Sequence, residues 1–173
     1  QPFLAESVEP NADFTQWTVK LRDGVKFHDG SALDSTVVKN NIDAYRGQYP
    51  ARKPLLFIFV LQNIASVDVV DPLTLTVSTK TPWPAFPAYL HSSGRLGIIA
   101  QAQLDDPATC DRNLIGTGPF KLQEWKVNDH LTAVKNPDYW QKDADGNQLP
   151  YLDSLTYRPI PDGDARVNAL LAG

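Results

Sequence analysis

The chain has 173 residues, 42% of them apolar and 21% charged, with a formal net charge of −4. This is the composition of a globular protein with enough length for one substantial core. The acidic balance argues against a basic nucleic-acid surface, and no apolar run approaches the roughly 18 residues of a membrane-spanning helix.

In chain order, Trp17-Thr18-Val19-Lys20-Leu21 alternates strictly and predicts a half-buried strand. Arg22 to Gly30 then holds two Asp-Gly pairs around Val25-Lys26-Phe27-His28. Glycine accepts the positive φ of tight turns, so this stretch reads as turn, short strand and turn. Asp34 is placed as the N-cap of a helix on which Val38, Ile42 and Tyr45 share one face, with Gly47 as its left-handed terminator. The richest apolar run, Leu55 to Leu61, suits either a helix or an extended core segment.

Val67 to Val70 and Thr74 to Ser78 form a predicted hairpin around Asp71-Pro72-Leu73. Pro82 to Pro87 interrupts regular structure, and a short helix over 85–91 and an apolar strand over 96–100 are expected next. Asp105 to Asn113 reads as a loop. Phe120 to Trp125 and His130 to Val134 predict a second hairpin across Val127-Asn128-Asp129, and Leu155 to Ile160 a further strand. Asp162 is expected to cap a closing helix with Val167, Leu170 and Leu171 on its apolar face. Fourteen prolines between these segments imply many short elements, and the expected class is α/β (mixed α+β). A helix ending at the last residue, and Gln1 in place of an initiator Met, lead us to expect a piece of a longer polypeptide.

Catalytic and metal chemistry find little footing. His28, His91 and His130 lie far apart and, with the lone Cys110, show no zinc spacing. Asp143-Ala144-Asp145-Gly146-Asn147 is read as a turn, because the twelve-residue ligand loop of a calcium site is missing. Ser92 and Ser93 beside His91 lack a nucleophile elbow, so no enzyme is expected, and no cofactor or metal. Gly116-Thr117-Gly118-Pro119 is not a phosphate loop, since neither Lys-Ser/Thr nor a helix follows. Its glycines are expected to allow a sharp turn and Pro119 to fix φ at the strand entrance.

Aromatic and loop residues carry the ligand-contact readings. Trp17, Trp125 and Trp140 are expected in packing, and Trp83 as a surface wedge or cleft wall. Phe57 and Phe59 read as core or as pocket lining. His91 and Arg95 sit in a small-residue loop of the kind that makes cleft contacts; Arg95 can pair with a ligand carboxylate or stay solvated. The candidate ligand-binding residues are therefore Phe57, His91 and Arg95.

Trp17 through Gly30 resembles the signature stretch of the extracellular solute-binding proteins of family 5, the peptide/nickel class that serves ABC importers. Ile115-Gly116-Thr117-Gly118-Pro119-Phe120-Lys121-Leu122 with Glu124-Trp125 is similar to that family's most recognisable motif. Asn136-Pro137-Asp138-Tyr139-Trp140, Pro150-Tyr151-Leu152-Asp153 and Pro159 to Gly173 match in order after it. One departure is Val37, where the family usually has an acidic residue.

The resemblance implies a partial periplasmic-binding-protein type II-like fold. Residues 1–113 would be the accessory subdomain of lobe 1 and residues 114–173 part of its ligand-binding core, with the N-terminal strands and the C-terminal lobe absent. It implies a substrate-binding component that captures peptides or similar small solutes and delivers them to ABC permease subunits. The protein would lie outside the cytoplasm, in the periplasm or at the cell surface, with or without a lipid anchor. A ligand-sensing or chaperone-like protein on the same fold is the alternative.

Overall fold

A computed structural model of the chain describes residues 3–53, 58–90, 96–109 and 112–172. Two antiparallel sheets organise it. The first has the order β1-β2-β4-β3, with β1 at Ala5–Pro10, β2 at Gln16–Leu21, β3 at Ile64–Asp71 and β4 at Thr74–Thr79. Trp17, Val19 and Leu21 alternate inward as expected, and Leu75 and Val77 beside them are wholly buried. The strand β1 was not foreseen, because Ala5-Glu6-Ser7-Val8-Glu9-Pro10 offers few apolar residues; pairing with β2 makes it a strand.

The helix α1, Ser35–Tyr45, covers this sheet. Asp34 caps it as its carboxylate accepts from Val37 N at 2.8 Å, and Gly47 leaves it at φ 72°. Its first turn also grips the predicted hairpin turn: Ser35 N donates to Pro72 O at 2.9 Å, and the Ser35 hydroxyl donates to Asp71 O. Val37 and Val38 face the core with Val25, Phe27, Leu33, Phe86, Ala100 and Ile115. Each fully buried aliphatic or aromatic side chain contributes about 1.5–3 kcal/mol.

Between the strands lie two helical turns, α2 (Ile58–Leu61) over the described end of the apolar run and α3 (Phe86–Tyr89) at the end of the proline-rich segment. Val25 to His28 is not a strand; a single bridge, Lys26 to Ala32, closes the turn at Asp29-Gly30, and both Gly24 and Gly30 take positive φ. The expected strand over 96–100 is irregular, because Asn41 takes its ladder bonds: Asn41 Nδ2 donates to Ile99 O at 2.9 Å and Asn41 Oδ1 accepts from Ile99 N at 3.0 Å. The expected loop after it begins inside a helix, α4 at Gln101–Asp105, followed by a 3-10 turn at Pro107–Thr109.

The second sheet has the order β5-β6-β7: Phe120–Lys126, His130–Lys135 and Ser154–Tyr157. Asn128 turns the hairpin at φ 65°, where the sequence placed it. Asp143 to Asn147 is the predicted turn, with Gly146 at φ 86°. The closing helix α5, Gly163–Ala172, has its N-terminus held by Asp162, whose carboxylate accepts from Ala165 N at 2.7 Å.

Candidate functional site: the joint between the sheets

The segments singled out by sequence meet where the two sheets join. His28 N donates to Gly116 O at 2.9 Å, and Gly116 N approaches His28 Nδ1 at 3.4 Å. His28 Nε2 lies 3.0 Å from Gly118 O. Lys121, the second residue of β5, donates from Nζ to His28 O at 3.2 Å. The buried Asn136 closes the other side, with its Nδ2 on Gly118 O at 3.1 Å and its N on Pro119 O at 2.8 Å. His28 and Asn136 thus satisfy the backbone of the 116–119 segment, and Lys121 satisfies the carbonyl of His28.

Neither Gly116 nor Gly118 adopts positive φ, and a Cβ on either would meet nothing within 4 Å. The chain does bend over 117–119, as expected, but without a positive φ at either glycine; their backbone groups make the joint, and their lack of a side chain leaves open space. Nearby, Arg22 lies 5.4 Å above the Trp140 ring while its Nε donates to Phe3 O at 2.7 Å. Phe3 meets Trp140 edge-on at 5.0 Å. Such contacts contribute about 0.5–1.5 kcal/mol each.

Beyond the joint the second sheet is open. Trp125, Leu131 and Tyr157 are directly opposed in register and share one face. Trp125 is 49% exposed and Tyr157 62%, so the expected burial of Trp125 does not hold within this chain. Val167, Leu170 and Leu171 of α5 are exposed as well, and α5 buries no residue. Trp17 is buried and Trp140 half-buried, as expected. Phe59 is 63% exposed, which removes it from the core.

The ligand-contact candidates Phe57, His91 and Arg95, like Cys110, lie outside the described residues. Of the other histidines, His28 belongs to the joint, and His130 lies between Glu124 at 3.1 Å and Asp129 at 3.2 Å on the β5–β6 hairpin. Among the described residues no group of His, Cys, Asp and Glu has the arrangement of a metal site, and no helix is long and apolar enough to cross a membrane. A small cavity lies apart from the joint, lined by Asn41, Ala44, Tyr45, Arg52, Lys53, Ile99 and Leu104. Composition gave no hint of it, since its residues are scattered between positions 41 and 104.

Comparison with known proteins places this architecture. The family model of the bacterial extracellular solute-binding proteins, family 5 Middle, matches residues 1–173. The chain is 35% identical over 170 residues to the glutathione-binding protein GsiB of Salmonella paratyphi A, covering 98% of this chain and 32% of that protein. The GsiB of Escherichia coli O157:H7 gives the same identity and coverage. Among solved structures, the oligopeptide-binding protein AppA from Bacillus subtilis, in complex with a nonapeptide, superposes with a TM-score of 0.79 at 28% identity. That alignment covers 99% of this chain and 33% of AppA. The periplasmic binding protein DppA from Helicobacter pylori, in complex with the peptide STSA, gives 0.81 at 25% identity, covering 100% of this chain and 36% of DppA. The chain thus spans about a third of the length of the relatives it matches.

Proposed function

We propose that this chain, which belongs to the bacterial extracellular solute-binding proteins of family 5, is part of the substrate-binding component of an ABC importer. In this reading the whole protein captures a peptide or similar small solute outside the cytoplasm, in the periplasm or at the cell surface, and hands it to permease subunits in the membrane. Closure of lobes around the ligand would present the loaded form. The observation that carries the reading is the family match along the entire chain, joined to its likeness to proteins named for binding glutathione and peptides.

Two finer points belong to the same proposal. Residues 1–113 form the accessory subdomain of lobe 1 and residues 114–173 part of its ligand-binding core; the change from first to second sheet across the His28 joint supports this division. Phe57, His91 and Arg95 contact the solute, on the strength of their aromatic, imidazole and guanidinium chemistry.

The test is thermal unfolding of the full-length protein with glutathione and with a series of short peptides. A true ligand at a hundredfold its Kd adds about 2.7 kcal/mol and raises Tm accordingly. If no peptide raises Tm, the peptide assignment fails. The chain of 173 residues alone is expected to bind such ligands weakly, because it carries only part of the cleft.

A further inference from the structure

The cavity of about 100 Å³ between α1, the 49–53 turn and α4 takes no part in the joint or in the second sheet. Its apolar lining is Ala44, Ile99, Leu104 and the ring of Tyr45. Hydrogen bonds fix its walls. Asn41 Nδ2 donates to Val37 O and to Ile99 O, both at 2.9 Å. The Tyr45 hydroxyl donates to Gly97 O at 2.6 Å. Arg52 Nε donates to Leu104 O at 2.9 Å and its Nη2 to Gln103 O, which holds the guanidinium across the last carbonyls of α4. The carboxylate at the end of α4, Asp105, is engaged by the Tyr49 hydroxyl and by Gln101 Nε2, and it does not line the cavity.

Lys53 differs from the other polar lining groups. Among the described residues no hydrogen bond or ion pair holds its ammonium. Among the described residues no acidic side chain lines the cavity. We propose that this cavity is a binding site for a short-chain aliphatic carboxylate, its tail against Ala44, Ile99 and Leu104 and its carboxylate on the ammonium of Lys53 at the rim. Two cationic side chains disfavour an amine, and a carboxylate sets a full negative charge against the ammonium where an alcohol offers only a neutral acceptor. An apolar cavity of about 150 Å³ takes benzene, so a space of this size suits about four carbons. The inference does not rest on the transport reading, because none of the lining residues belongs to the joint.

The experiment follows the methyl resonances of Ala44, Ile99 and Leu104 in the full-length protein, titrated separately with sodium butyrate, butanol and butylamine. Butyrate is expected to shift these methyls saturably with a Kd of about 1 mM. From acetate to butyrate each added methylene should tighten binding about fourfold, with no further gain once the cavity is full. Lys53→Gln should weaken butyrate about fivefold, the worth of an exposed charge pair, while leaving any butanol response unchanged and Tm unaffected. Ala44→Leu should fill the cavity and abolish the response in a chain whose methyl spectrum is otherwise folded. Absence of saturable butyrate shifts overturns the proposal. So does an equal response to butanol or butylamine, or full butyrate affinity in Lys53→Gln.

Discussion

The imidazole of His28 is held between two glycines of one segment: its Nε2 stands 3.0 Å from the carbonyl oxygen of Gly118, and its Nδ1 receives the amide of Gly116 at 3.4 Å. A carbonyl only accepts and an amide N–H only donates, so the pair selects the tautomer with hydrogen on Nε2. Long-range nitrogen–proton NMR on the His28 ring should show that tautomer. His28→Ala should cost about 1–2 kcal/mol in urea unfolding, since it leaves backbone groups at the joint without their partner. A ring with hydrogen on Nδ1 would contradict this account of the joint.

Arg46 ties α1 to the edge of the first sheet. Its Nη1 donates to Asp43 at 3.0 Å, and its Nη2 donates to Ile64 O at 3.1 Å and Ala65 O at 3.0 Å. Both residues of the pair are 9% exposed. Arg46→Met should therefore destabilise by about 2–3 kcal/mol, because it leaves two carbonyls without their donor and Asp43 paired with Lys39 alone. Arg46→Met with Asp43→Asn should recover part of that loss, as a denaturation double-mutant cycle would show.

The Asp143 turn should respond to acid in a narrow window. Hydrogen bonds from the Tyr151 hydroxyl first, and then from Asn147, lower the Asp143 carboxyl from its ordinary value of 3.8 to about 2. A depressed folded value means that the turn is stabilised in full above pH 3.8 and loses that stabilisation as pH falls towards about 2. Carboxyl-carbon NMR should place the Asp143 midpoint there. Tyr151→Phe should move the midpoint upward, since it removes the first of these donors.

Two leucines should separate burial from surface. Leu75 is wholly buried in β4, and Leu75→Ala should cost about 2–5 kcal/mol by leaving a cavity beneath α1. Leu170 is 83% exposed on α5, and Leu170→Glu should change unfolding stability by no more than about 0.5 kcal/mol. The same Leu170→Glu change should reduce binding of the dye ANS, which reports exposed apolar surface, whereas an unchanged signal would place the apolar patch elsewhere.

Local rules sufficed wherever one residue type answers to its own backbone. Alternation fixed β2 and the two hairpins, the side chain of Asp34 fixed the start of α1, and Gly24, Gly30, Gly47 and Asn128 took the positive φ that their turns demand. The same ordered motifs placed the chain in its family, because they are residues that shape a scaffold. Tertiary structure decided the rest. Asn41 drew 96–100 out of a strand by occupying its backbone, and pairing with β2 made a strand of the weakly patterned segment Ala5–Pro10. Only the fold brought His28 to Gly118 and Lys53 to Ile99 and Leu104, since hydrogen bonds and cavities join side chains distant in sequence, and periodicity reports a residue's own element and not its neighbours in space.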